Sequence, residues 1–218
     1  MEVKLINYSQ ADGEYLIDST SAQEMVAFCA RVSNPDNQMN SESSTGLIKY
    51  LIRHKHWSPF EMVSACLEIK TTRDIARQIL RHRSFSFQEF SQRYAVATDF
   101  ETREARMQDP TNRQNSIEIG AEIEGQQIQD EWDMIQDNVI ELTKAAYNRA
   151  LDLGIAKEQA RAVLPEGLTA STMYVNGTLR SWIHYIELRS ENGTQKEHME
   201  IAQEIGRVIS KIFPVINE

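Results

Sequence analysis

The chain has 218 residues, 41% hydrophobic and 25% charged, with a formal net charge of -9 and a mean hydropathy of -0.48. Such a chain can bury roughly 70% of its unfolded surface as one domain. Its acidic balance argues against a general nucleic-acid binder, which is ordinarily basic.

Met1-Glu2-Val3-Lys4-Leu5 lacks the cationic start and apolar run of a secretory signal. No apolar stretch approaches the ~20 residues needed to span a bilayer. The expected location is cytoplasmic, with no membrane partner. Cys29 and Cys66 show neither CxxC spacing nor a disulfide framework and are expected as reduced core residues.

Residues 3–8 read as a short strand. Ser21-Ala22-Gln23-Glu24 has the form of a capping box, opening a helix with Met25, Phe28, Cys29 and Val32 near one face. Asn34 to Ser44 is polar and contains Pro35, so it reads as a loop. Thr45 is the expected cap of a helix carrying Leu47, Ile48, Leu51 and Ile52, and the segment from His54 to Glu61 breaks the helical pattern. Val63, Ala65, Leu67 and Ile69 alternate with polar neighbours, which is strand periodicity. Thr72 can cap a following helix with Ile75, Ala76, Ile79 and Leu80 as its apolar stripe. Gln78 and Arg81, three apart, would share another face of that helix.

Residues from Asp99 to about Gln127 read as a polar and potentially mobile excursion. Ile128, Trp132, Ile135, Val139, Leu142 and Ala146 then predict a long helix to about Leu151. Ala156 to Val163 predicts a helix ended by Leu164-Pro165. Leu179, Trp182, Ile183 and Ile186 stripe another, with Arg180, His184 and Arg189 off the stripe. A final helix from Lys196 to Phe213 carries Met199, Ile201, Ala202, Ile205, Val208, Ile209 and Ile212. There is no repeat and no linker. The expectation is one mainly helical α+β domain over residues 1–218, with a mixed or antiparallel sheet.

Charge is unevenly placed. Asp99 to Asp137 holds 11 Asp/Glu against three Arg, whereas residues 73–93 hold five Arg against Asp74 and Glu89. Within the second stretch, Arg81-His82-Arg83-Ser84-Phe85-Ser86-Phe87-Gln88-Glu89-Phe90-Ser91-Gln92-Arg93 mixes guanidiniums, hydroxyls and aromatic rings. Guanidinium forks match phosphate oxygens and ring carbonyls, so the segment suits an anionic ligand carrying a flat ring. A solvated charged turn is the plainer alternative. The GxGxxG, GxxxxGK[ST] and GxSxG patterns are all absent from the sequence. His54 and His56 have no matching ligand set, and no metal site is expected.

Arg81-His82-Arg83, seven intervening residues and Ser91 resemble the signature of flavin-dependent thymidylate synthases. Ser86, Glu89, Arg93 and Tyr94 extend the likeness. So do His56-x-Ser58-Pro59-Phe60-Glu61, Glu158-x-Ala160-Arg161 before Leu164-Pro165, and Leu188-Arg189 closing a helix. The resemblance implies reductive methylation of dUMP to dTMP. FAD would be the redox carrier, NADPH the reductant and methylenetetrahydrofolate the carbon donor. It further implies that fold without a Rossmann motif, and homotetramers whose active sites are shared between subunits. A non-catalytic nucleotide or folate binder that kept the fold is the alternative.

By the same resemblance, Ser58, Glu61, Arg81, His82, Arg83, Glu89, Thr178, Arg180 and His184 would contact FAD. Gln78, Arg81, Glu89, Ser91, Arg93, Arg161 and Arg189 would bind dUMP, with Arg189 the catalytic residue. His56 would lie near flavin or folate. The sequence departs from the family at Thr178 and His184, and also at Gln88, where Asn is frequent, and at Met62, where His is frequent.

Overall fold

A computed structural model describes residues 1–13, 21–97 and 99–217. The expectation of one domain over 1–218 also covers 14–20, 98 and 218, which lie outside the described residues. The elements are β1 (Glu2–Tyr8), α1 (Ala22–Ala30), α2 (Ser44–Arg53), β2 (Ser64–Thr72), α3 (Arg73–Ile79), β3 (Ser86–Glu89), β4 (Arg106–Gln108), β5 (Ser116–Glu118), α4 (Ile123–Asp152), α5 (Lys157–Ala160), β6 (Ala170–Thr178), α6 (Leu179–Ser190) and α7 (Lys196–Ile209).

The expected alternation of Ala65, Leu67 and Ile69 builds β2, whose partner β6 runs antiparallel with Leu67 opposite Val175 and Ile69 opposite Met173. The four-stranded sheet has the order β1-β2-β6-β3, antiparallel at every junction. Its inner face buries Val3, Leu67, Ile69, Met173 and Val175 against Ile75, Trp182, Ile201, Ile205 and Ile209 from the helices. The indole of Trp182 donates to the carbonyl of Ala65 at 3.1 Å, so this large ring is buried without an orphaned N–H. On the opposite face the Tyr174 hydroxyl donates to Glu68 at 2.9 Å, and Glu2 pairs with Lys4 and Lys70 at 2.7 and 3.0 Å. One covered face and one polar face is the pattern expected of an antiparallel sheet.

Several expectations shift. The capping box is present: Ser21 N donates to Glu24 Oε2 at 2.8 Å and Glu24 N to Ser21 Oγ at 3.2 Å. However, α1 buries Ala22, Val26 and Ala27, while Val32 lies beyond the helix and is exposed. The cap of α2 is Ser43 instead of Thr45, whose hydroxyl accepts from Gln23. Thr72 does stand at the start of α3, but its hydroxyl donates to Asp74 at 2.6 Å and caps nothing. α3 ends at Ile79, which puts Arg81 in the following turn and off the helical face it was expected to share with Gln78.

Residues 99–127 are more regular than a loose excursion. β4 and β5 form a two-stranded ribbon, and Asp109 closes its turn by accepting from Asn115 Nδ2 (2.9 Å) and from Thr111 N and Asn112 N (2.7 and 3.0 Å). The Asn115 amide and the other donors hold the Asp109 carboxyl well below the usual carboxylate range. α4 starts at Ile123, five residues before the first apolar position of the expected stripe. It buries Gln136, Ile140, Thr143 and Tyr147, while Ile135, Val139 and Leu142 of that stripe face outward, Leu142 being 73% exposed. Cys29 and Cys66 are half-buried, not fully enclosed. No described helix is long and apolar enough to cross a membrane.

Candidate active site

α6 is the scaffold of the site. Its start is fixed by Thr178, which accepts from Ser181 N at 3.3 Å, and its buried face by Leu179, Trp182 and Tyr185. The sequence that makes this helix also sets out Arg180, His184 and Arg189 away from the core.

At the first turn, Arg180 pairs with Glu61 of the short 3-10 turn Ser58–Glu61. His184 stands edge-on to Trp57, with ring centroids 4.4 Å apart. Ser58, Glu61, Thr178, Arg180 and His184, far apart in sequence, thus come together. The same patch reaches the 81–84 turn, because Ser181 Oγ donates to the Ser84 carbonyl at 3.3 Å. His56 is exposed just before the Ser58–Glu61 turn, near Tyr50 and His54.

At the far end of α6, Arg189 Nε donates to His82 Nε2 at 2.9 Å. An acceptor Nε2 fixes His82 as the neutral ring carrying hydrogen on Nδ1. Burial, then the Arg189 charge, pushes its pKa below the ordinary histidine value and agrees with that form. His82 packs edge-on to Tyr185 at 4.8 Å between centroids. Arg81 and Arg83, either side of it, are exposed, and among the described residues neither side chain has an ion-pair or hydrogen-bond partner. Two unpaired guanidiniums flanking a neutral imidazole form a donor-rich rim open to an anion.

Gln78 joins this cluster from α3. Its Nε2 donates to Gln195 Oε1 at 2.7 Å, and its Oε1 meets His198 Nδ1 at 3.2 Å. His198 is completely buried, and its Nε2 lies 2.9 Å from the Tyr185 hydroxyl. Burial pushes His198 down to about 3, with Arg189 and His82 adding to the shift, and burial raises Tyr185 far above its ordinary range.

The remaining expected residues form separate groups. Glu89, at the end of β3, is held by Arg73 and Arg77 at 3.4 and 3.8 Å and accepts from Ser171 at 2.9 Å. Arg93 pairs with Glu158 at 3.2 Å, and Arg161 Nε donates to the Glu158 carbonyl at 3.2 Å. Among the described residues Ser91 Oγ accepts only a long 3.4 Å contact from Arg93 N, and no base bonds to it. Among the described residues no hydrogen bond, ion pair or ring contact joins the Arg93–Glu158–Arg161 group to the Gln78–His82–Arg189 group.

Trp57, Tyr185, Gln195 and His198 were not singled out from sequence. For His198 a signal existed: it precedes Ile201, Ala202 and Ile205 at three, four and seven residues, on the buried stripe of α7. A cavity of about 520 Å³ lies beside the cluster, lined by Arg103, Arg106, Arg113, Trp132, Gln195 and Glu197 among others. None of the expected site residues lines it. It meets the site through the bond from Gln78 to Gln195.

Comparison with known proteins places this geometry. The family model described as thymidylate synthase complementing protein matches residues 15–215. The chain is 48% identical to the probable flavin-dependent thymidylate synthase of Paramecium bursaria Chlorella virus 1 over 217 residues, covering 99% of this chain and 97% of that one. It is 47% identical to the flavin-dependent thymidylate synthase of Synechocystis sp. over 221 residues, with the same coverage. Among solved structures, the UMP/dUMP methylase PolB from Streptomyces cacaoi, bound with 5-Br dUMP, is similar with a TM-score of 0.80 at 28% identity, covering 99% of this chain and 92% of that one. With His82 of the signature bonded to Arg189 of α6, and with likeness running over nearly the whole chain, the protein belongs to the flavin-dependent thymidylate synthases, a family of methyltransferase enzymes.

Proposed function

We propose that the chain converts dUMP to dTMP, with methylenetetrahydrofolate as carbon donor, NADPH as reductant and FAD as redox carrier. It would work in the cytoplasm as a homotetramer with shared sites. The overall change balances when the folate methylene replaces hydrogen at uracil C5 and NADPH supplies the hydride that completes the methyl group, becoming NADP⁺, while the folate leaves as tetrahydrofolate, its two freed nitrogens taking up the C5 proton and one proton from solvent.

The observation that carries this reading is Arg189. Its Nε is committed to a neutral His82, so both terminal amino groups of the fork are left for a ligand. A guanidinium beside uracil N3 and its carbonyl favours the ionised ring and raises electron density at C5. Activation of this kind needs no protein thiol at C6. In keeping with that, burial raises the pKa of both Cys29 and Cys66, away from the thiolate form.

The donor set fits FAD. Unpaired Arg81 and Arg83 suit a diphosphate, and the joined patch of Ser58, Glu61, Thr178, Arg180 and His184 would hold the rest of the cofactor, with His56 near flavin or folate. When bound, FAD would supply the hydride-carrying redox chemistry of the reaction. Gln78, Arg81, Glu89, Ser91, Arg93 and Arg161 would complete the dUMP site. Ser91 would serve binding only, since no base stands by its hydroxyl. The structural neighbour described as a dUMP methylase supports the choice of nucleotide.

Two features support an assembly. The outward stripe of α4 exposes Ile135, Val139 and Leu142 in a row, an apolar surface suited to contact with another subunit. The separation of the Arg93 and Arg189 groups within one chain suits sites completed by a second subunit. Purified protein should be yellow, its flavin spectrum should bleach with NADPH, and dUMP should be converted to a product with a methyl group in place of one hydrogen. A protein that binds dUMP yet makes no dTMP with every cosubstrate present would overturn the reading.

A further inference from the structure

A run of hydrogen bonds crosses from α7 to α6 through Gln78, and its direction is fixed from one end. Gln195 Nε2 donates to Glu197 Oε2 at 2.9 Å, because a carboxylate oxygen can only accept. Gln195 therefore turns its Oε1 toward Gln78, whose Nε2 donates to it at 2.7 Å. Gln78 must then face His198 with its own Oε1, and the 3.2 Å contact requires hydrogen on His198 Nδ1. That leaves His198 Nε2 bare, and the Tyr185 hydroxyl donates to it at 2.9 Å. Every member has a partner of the right kind, so the chain admits one arrangement of protons and one flip of each amide.

The carboxamide of Gln78 is consequently anchored at both ends. Gln195 holds its nitrogen and His198 its oxygen, while the second N–H of Nε2 is left over. We infer that His198 is a positioning residue for nucleotide binding: its Nδ1–H fixes the plane of the Gln78 carboxamide so that the spare N–H is aimed as a donor at an oxygen of the nucleotide. This rests on the reading of Gln78 as a dUMP-binding residue. His198 lies on the fully buried side of α7 and touches no ligand itself, so its effect passes entirely through Gln78. Remove it, and the carboxamide pivots about its one remaining bond to Gln195.

A histidine that merely fills the core would have no such effect, and two substitutions separate the cases. Asparagine puts its amide nitrogen near the place of Nδ1, so His198→Asn keeps a donor for Gln78 and gives up Tyr185. Glutamine reaches the place of Nε2, so His198→Gln keeps an acceptor for Tyr185 and gives up Gln78. Equilibrium dUMP binding to the FAD-loaded enzyme should stay within about threefold of wild type for His198→Asn and weaken at least about tenfold for His198→Gln. The rate at saturating dUMP should change little in either. Gln78→Ala is the reference and should weaken dUMP at least as much as His198→Gln.

If Gln78→Ala binds dUMP like wild type, the assignment of Gln78 itself fails. If Gln78→Ala is weak while the two His198 variants behave alike, the positioning role fails. Nitrogen-15 NMR of labelled histidine in the unaltered enzyme gives an answer that needs no variant to fold. Protonated Nδ1 with bare Nε2 at His198 is expected, and hydrogen on Nε2 would overturn the inference.

Discussion

Gly177→Ala should destabilise the protein through a single ring. Gly177 stands in β6 opposite Ala65, and a Cβ there would come within 2.3 Å of Phe85 Cδ1 and 2.5 Å of Cε1. The ring cannot swing aside, because it is wedged against Trp182, Tyr185 and Phe87 with centroids 4.4, 5.8 and 6.2 Å away. Overpacking of this kind costs about 1–3 kcal/mol. Taking about 2 kcal/mol, and roughly 2–4 °C per kcal/mol for a domain of this size, melting should fall by about 4–8 °C. Phe85 lies between Arg83 and Ser86, so the same push should reach the 81–83 turn and lower FAD retention. The assay is thermal unfolding of the FAD-loaded enzyme, with flavin content read from its absorbance. Phe85→Leu makes room, so the double variant should be more stable than the two single effects predict, by about 1 kcal/mol or more. A Gly177→Ala protein melting within about 1 °C of wild type, or strictly additive effects, would refute the reasoning.

Arg189→Ala should lower turnover at least about a hundredfold, the scale for removing a donor from a developing charge, with the flavin spectrum and stoichiometry intact. Loss of FAD instead would place Arg189 on the cofactor. Stability should also fall in mild acid. Unfolded histidine takes a proton near 6.5, whereas buried His198 resists down to about 3 and His82 is likewise lowered, so the unfolded state binds more protons as pH drops below about 6.5. Their contribution is whole above that pH and is lost on the way down. His198→Asn should flatten the fall in melting temperature between about pH 7 and 5, and equal slopes would contradict the burial argument. Leu142→Glu, placed on the exposed stripe of α4, should reduce the mass in light scattering from four chains toward smaller species; an unchanged mass would move the interface elsewhere.

Strong periodicity carried much of the fold in the sequence. β2 was legible because Ala65, Leu67 and Ile69 alternate without interruption, and α1 because Ser21 and Glu24 cap each other. The central strand β6 was not, since two of its buried positions are Ser171 and Gly177, which carry no hydrophobic signal. α4 was found from an apolar stripe whose Ile135, Val139 and Leu142 face outward, so periodicity identified the helix without saying which side packs on the core. The signature residues were visible because arginine is conspicuous in chemistry. Their grouping was not, because Glu61 meets Arg180 and His82 meets Arg189 only after β2, β6 and α6 have paired and packed. The spacing of His198 from Ile201, Ala202 and Ile205 signalled burial but not a role, because its partners Gln78 and Tyr185 come from other elements.

Release of tritium from [5-³H]dUMP, compared between the wild-type holoenzyme and its Cys29→Ala/Cys66→Ala variant, tests most directly whether this site activates uracil without a protein thiol. With methylenetetrahydrofolate and NADPH present, both proteins should release tritium at similar rates as dTMP forms. No release from the wild type, or release lost with the two cysteines, would contradict the role given to Arg189.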